Sequence, residues 1–163
     1  MRIARSWVSI AAFAFIGCGG SAMSSGGDMG SAGAGPFAGT YAATLAETVT
    51  VTGLPPAPFA ATATIAFTDG TSTDMVETIS DPGGSCTFTY NRNGNTATAY
   101  PVDQSCSYVL PNGSHQTNTD STHMAIVMGN VLTINIAGTF VGTTANHVAY
   151  SGTFAGAWMG TRK

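Results

Sequence analysis

The sequence predicts an all-β chain folded as a single antiparallel β-barrel of about eight strands, with a β-sandwich as the alternative. Three observations lead there. Hydrophobicity repeats every second residue from Phe37 onward, turn residues recur about every ten positions, and no stretch of helical period follows the opening segment. The 163 residues leave room for one such domain and a targeting segment. With 8% charged and 44% hydrophobic residues, 21 glycines and 24 threonines, the composition fits neither a disordered chain nor a coiled coil. A formal charge of -3 leaves too few cations to neutralise phosphates, so nucleic acid is not an expected partner.

The chain opens with Arg2 and Arg5, then the uncharged run Trp7 to Ile16, then Gly17-Cys18. A bilayer span needs about 20 apolar residues, and this run has half that, so it reads as a secretory signal over 1–17. The residues Ile16, Gly17 and Cys18 resemble the lipobox of bacterial lipoproteins, with Phe15 where Leu is usual. That resemblance implies a diacylglyceryl thioether on Cys18 and a membrane as partner through the lipid anchor. Gly19 stands where an Asp would signal inner-membrane retention, so the implied location is the cell envelope at the outer membrane. Residues 18–36 contain little except Gly, Ser, Ala and Met and cannot offset their ordering entropy, which predicts a flexible, disordered tether. The folded domain is expected over 37–163.

Within it, Tyr41, Ala43, Leu45, Val49 and Val51 alternate with threonines over 39–52, and Glu47 alone interrupts the apolar side. Phe59, Ala61, Ala63, Ile65 and Phe67 repeat the arrangement over 59–68, after a proline-rich turn. Further strands are expected over 72–79, 86–92, 95–101, 105–110, 120–128, 131–140 and 146–158. Asn93-Gly94 predicts a two-residue hairpin turn, setting Phe88 against Ala99 and Tyr90 against Ala97. For the next hairpin, a three-residue loop over 128–130 would pair Ile126 with Leu132 and Met124 with Ile134, whereas a two-residue turn at Gly129-Asn130 would set Met124 beside Asn135. Burial favours the former. The echo between residues 37–41 and 154–158 suggests first and last strands that meet. Gly39-Thr40-Tyr41 resembles the Gly-x-Trp opening of lipocalins, with Tyr in place of Trp, and this implies an alternative role as carrier of a small apolar ligand.

Cysteine arithmetic leaves Cys86 and Cys106 to pair once Cys18 is lipidated; the closed loop has about 20 residues and would contribute about 3 kcal/mol in an oxidising compartment. Catalytic motifs are missing: there is no G-x-S-x-G, S-x-x-K, H-E-x-x-H or phosphate loop, and the only lysine is Lys163. No enzyme activity and no cofactor are expected. His115, Asp120 and His123 form the densest polar constellation and are weak candidates for a metal, but their spacing obeys no ligand rule. They read as a solvated loop, with His123 at a strand start. The leading expectation is a non-enzymatic structural or binding module.

Overall fold

The structure is a computed structural model that describes residues 33–71, 73–81, 84–110 and 112–163. The signal segment, Cys18 and nearly all of the expected tether lie outside the described residues. A short 3-10 helix, Gly35–Phe37, precedes nine strands: β1 (Gly39–Val51), β2 (Ala57–Asp69), β3 (Met75–Asp81), β4 (Gly84–Asn93), β5 (Thr96–Ala99), β6 (Gln104–Val109), β7 (His115–Met128), β8 (Val131–Thr143) and β9 (Ala149–Arg162). They form one antiparallel sheet in the order β5-β4-β3-β2-β1-β9-β8-β7-β6. A further β5–β7 pairing closes eight of them into a ring, with β6 as an extra strand on β7. The fold is the expected barrel, not the sandwich, and its first and last strands do meet, Leu45 opposite Trp158.

Period-two alternation places one side chain in two inside. Tyr41, Ala43 and Leu45 of β1, Ile65 and Phe67 of β2, Met75 and Ile79 of β3 and Leu132, Ile134 and Ile136 of β8 are buried, whereas the intervening threonines face outward. Small residues opposite large ones let the barrel fill. Phe154 is paired with Gly138, Phe140 with Gly152, Tyr150 with Gly142 and Glu47 with Gly156. A Cβ on Gly138 would stand 2.8 Å from Phe154 Cζ, and Cβ atoms on Gly142 and Gly152 would collide with the rings of Tyr150 and Phe140. Missing methyls therefore make the space that aromatic side chains occupy.

One end is sealed by the residues just ahead of β1. Phe37 and Ala34 are fully buried, and the Phe37 ring lies 5.4 Å from that of Phe67. Asp69 Oδ1 accepts from Ala34 N at 2.8 Å, and Arg92 Nε donates to Gly33 O at 2.8 Å, so packing already begins ahead of Phe37. Arg162 lies over the Tyr41 ring at 5.3 Å and donates to Tyr41 Oη and to the Pro36 carbonyl. The opposite end is looser: Val49, Val51, Phe59, Ala61, Tyr108 and Tyr150 are only partly buried there.

Both hairpin registers differ from expectation. Asn93 pairs with Thr96, so the turn is Gly94-Asn95, and Tyr90 faces Ala99. Gly94 has φ 59° and Asn95 is not in the positive-φ region, which favours Gly at the first turn position. Between β7 and β8, Met128 pairs with Val131 around a two-residue Gly129-Asn130 turn, and Met124 does face Asn135. Ala125 and Val127, not Met124 and Ile126, are the inward residues, so the two-residue turn is the register that buries the apolar face. The strand after the proline-rich turn also starts earlier, at Ala57. Pro58 fits because β3 pairs with β2 only from Thr64 on, leaving one edge of β2 without a ladder there.

Candidate functional site

Two strands share one edge of β7 unequally. Its first half, His115 to Asp120, pairs with β6, and Met124 to Ile126 pair with β5. Between them the wall is broken: residues 121–123 have no partner on that edge, and the chain from β5 to β6 leaves the sheet through residues 100–103. Tyr100 and Val102 are exposed on this corner, and Asp103 has φ 60°.

The break coincides with an irregularity on the other edge of β7. Asp120 pairs with Gly138 and Thr122 with Ala137, so Ser121 is an extra residue, a β-bulge. A bulge shifts the alternation by one. Asp120 and His123, which a regular strand would place on opposite faces, therefore both point inward, 7% and 3% exposed. The expected solvated loop is strand, and its two most reactive residues are core. His115, by contrast, is exposed at the start of β7, five positions away, so it does not join them.

Inside, His123 Nδ1 lies 2.5 Å from Asp120 Oδ2, and His123 Nε2 lies 3.1 Å from Glu77 Oε2. The second contact is within ion-pair distance, and neither Nε2 nor the other Glu77 oxygen, Oε1, has a hydrogen-bond partner. Tyr90 Oη donates to Glu77 Oε2 at 2.5 Å. Phe88 packs on the imidazole at 4.2 Å between centroids, and Tyr90 meets it edge-on at 5.5 Å. Burial lowers the proton affinity of His123, but the charge of Glu77 and the hydrogen bond to Asp120 outweigh it and raise the pKa from 6.5 to about 9. Glu47, half-buried on the inner face of β1, is pushed from 4.5 to about 7 by burial and by the charge of Asp120. Burial, then the Glu77 charge, drives the Tyr90 phenol well above the ordinary tyrosine range.

Neither Glu77 nor Tyr90 is assigned to a site from the sequence alone, although a signal for Glu77 exists. Met75, Glu77 and Ile79 share a parity, so the acid interrupts an apolar face just as Glu47 does. Tyr90 carries no comparable mark.

In the break lies a half-open cleft of about 210 Å³, lined by Ala99, Val102, Asp120, Thr122, His123 and Met124 among others. A shallower depression of about 270 Å³ between β2 and β3 is bordered by Thr62, Thr64, Ser80 and Asp81 and lies away from the cluster. Among the described residues, no three His, Cys, Asp or Glu side chains are placed to hold a metal ion.

Next to the break, β4 and β6 run side by side without a ladder. The Cys86–Cys106 disulfide ties them, with Cα atoms 5.8 Å apart. Gln104 does the rest: its amide accepts from Thr89 N at 2.9 Å and donates to Thr89 O at 2.8 Å, replacing one rung of a sheet with a side chain. The expected disulfide is thus in place, at the seam of the barrel wall.

Fold and site together define a small, filled antiparallel β-barrel with a buried carboxylate–imidazole cluster behind a notch in its wall. Among solved structures it is similar to a protein of unknown function from the DUF3598 family of Nostoc punctiforme, at 12% identity and a TM-score of 0.36. The match covers 78% of this chain and 48% of that one, so this chain spans about half of that protein's length. No protein-family model and no curated protein matches the sequence.

Proposed function

We propose that this chain is an envelope lipoprotein, held at the outer membrane through a lipid on Cys18, whose barrel is a non-enzymatic binding module. One observation carries the non-enzymatic part. His123 is the only buried basic side chain among the described residues, and both its ring nitrogens face carboxylates, Asp120 at 2.5 Å and Glu77 at 3.1 Å. With its pKa raised to about 9, the enclosed imidazole already carries its proton at neutral pH and so cannot accept one from a substrate. The disulfide supports an oxidising compartment outside the cytosol, and the lipobox-like residues before Cys18 support the anchor.

Intact mass spectrometry of membrane-extracted protein tests the reading. A mass for a chain starting at Cys18 and carrying acyl groups is expected, and Cys18→Ser should release the protein from the membrane fraction. An unacylated chain retaining residues 1–17 overturns the anchor, and turnover of ester, phosphate or glycoside probes that depends on His123 overturns the non-enzymatic reading.

A second reading, carriage of a small apolar ligand, rests on the looser end, where Phe59, Tyr108 and Tyr150 are partly buried. Cavities of about 210 and 270 Å³ fall below the roughly 300 Å³ usual for ligand pockets. Native mass spectrometry of the extracted protein should show an apolar adduct if the carrier reading holds, and none if the filled barrel is the whole story.

A further inference from the structure

The charges inside the barrel do not balance. Three acidic side chains face inward, Glu47 from β1, Glu77 from β3 and Asp120 from β7, against a single basic one, His123. The arginines serve elsewhere: Arg92 binds the Gly33 and Gly94 carbonyls, and Arg162 binds Pro36 and Tyr41 at the sealed end. The interior therefore presents a negative field to anything that enters it.

Two acceptor atoms in this field are unfilled. Glu77 Oε1 is buried without a hydrogen bond. Asp120 uses Oδ2 for His123, and its Oδ1 accepts from no described residue, although the side chain is more than nine-tenths buried and lines the cleft in the notch. Unlike Glu77 Oε1, Asp120 Oδ1 stays accessible from the notch, and a cationic donor reaching it there would make a charge-assisted hydrogen bond.

The cleft selects among cations. At about 210 Å³ it has the volume of about seven water molecules at roughly 30 Å³ each, much more than a bare ion needs. Its walls combine the Asp120 carboxylate, paired on its other oxygen with His123, and the hydroxyl side chains of Thr98, Ser121 and Thr122 with the apolar side chains of Ala99, Val102 and Met124, and the described acids and histidines do not converge on a common metal position. We propose that the notch binds a small organic cation, a primary ammonium on a short apolar body, with the ammonium donating to Asp120 Oδ1 and the body resting on Ala99, Val102 and Met124. This assignment rests on the reading of the barrel as a non-enzymatic binding module and names the chemistry of its ligand.

The test uses the isotope-labelled full chain in detergent, titrated with propylammonium chloride while the His123 imidazole and the Val102 methyls are followed by NMR. Propan-1-ol, sodium chloride of equal ionic strength and zinc chloride are run in parallel. Saturable shifts at both residues with propylammonium are expected, with propan-1-ol binding at least about tenfold more weakly. Val102→Trp changes an exposed residue at the mouth of the notch and should weaken propylammonium binding by at least about tenfold with amide dispersion intact. Asp120→Asn should abolish it, and where that variant unfolds, Val102→Trp decides.

Equal binding of the alcohol, tighter binding of zinc at the same residues, shifts matched by sodium chloride, or indifference to Val102→Trp overturns the proposal. Failure to bind, with the protein still inert toward hydrolytic probes, removes the cation and leaves the module reading standing. His123-dependent turnover of such a probe removes the module reading itself.

Discussion

Raising the pH should destabilise this barrel through His123. The imidazole is enclosed by Glu77 from β3, Phe88 and Tyr90 from β4 and Asp120 from β7, with Glu47 of β1 adding negative charge nearby. The folded chain holds the imidazolium proton more tightly than the unfolded chain, about 9 against 6.5. The associated stability is whole below about pH 6.5, declines above it and is gone beyond about pH 9. At about 1.4 kcal/mol per tenfold difference in proton affinity, the loss is about 3 kcal/mol, a large share of a typical domain's 5–15 kcal/mol.

Glu47 acts in the same direction at lower pH, since its raised value makes the protonated form the stable one in the fold, an advantage lost as pH rises from 4.5 through about 7. A Glu47→Gln background therefore isolates the histidine, and measurements should stop below the range in which buried tyrosines ionise. Urea unfolding followed by Trp158 fluorescence at a series of pH values reads the effect, with an NMR titration of the imidazole as direct check. His123→Gln should flatten the profile. An imidazole titrating at or below 6.5, or an unfolding free energy constant across the window, refutes the account of the cluster.

Gly152→Val would drive a side chain into the Phe140 ring and should cost about 2–3 kcal/mol in urea unfolding, whereas Ala155→Val, on the outer face, should be near neutral. Removing the disulfide by Cys86→Ala with Cys106→Ala should cost about 3 kcal/mol, and hydrogen exchange should accelerate first in β6. Gln104→Ala should cost about 1–3 kcal/mol alone and deviate from additivity when combined with the disulfide variant, because both hold the same seam. Tyr41→Phe removes the acceptor of Arg162 and the donor to Phe37 O, and should lower stability by about 1–3 kcal/mol, read as a reduced unfolding midpoint.

Much of the barrel is legible in the sequence because a half-buried strand writes its two faces into alternate residues. β1 and β2 show this most plainly, and Glu47 betrays itself as the exception on the apolar side. The disulfide is legible from count and compartment. β7 is not, for two physical reasons. Its first half faces the looser end of the barrel, where polar Gln116 and Asn118 point inward and hydrogen-bond each other, so apolar alternation is absent. At Ser121 the alternation then changes phase, so Asp120 and His123 share a face that their spacing of three denies to a regular strand. A bulge has no fixed sequence signature, and without it the cluster cannot be assembled on paper.

The bulge and the corner over 100–103 act at one level of the wall, and each makes the other tolerable. An unpaired stretch in a closed barrel exposes backbone donors and acceptors, and a bulge alone would distort the ladder it interrupts. Here the Ser121 hydroxyl donates to the Ala137 carbonyl at 3.1 Å on one edge. On the other side of the break, Tyr100 N donates to Thr89 O at 2.8 Å, and the Thr89 hydroxyl donates to Tyr100 O at 2.6 Å, fastening the corner to β4. Gly138 completes the arrangement, because a Cβ there would stand 3.0 Å from Asp120 Cα and 2.8 Å from the Phe154 ring. The bulge, the corner and Gly138 thus meet at the level of the wall where the buried acid–imidazole pair sits.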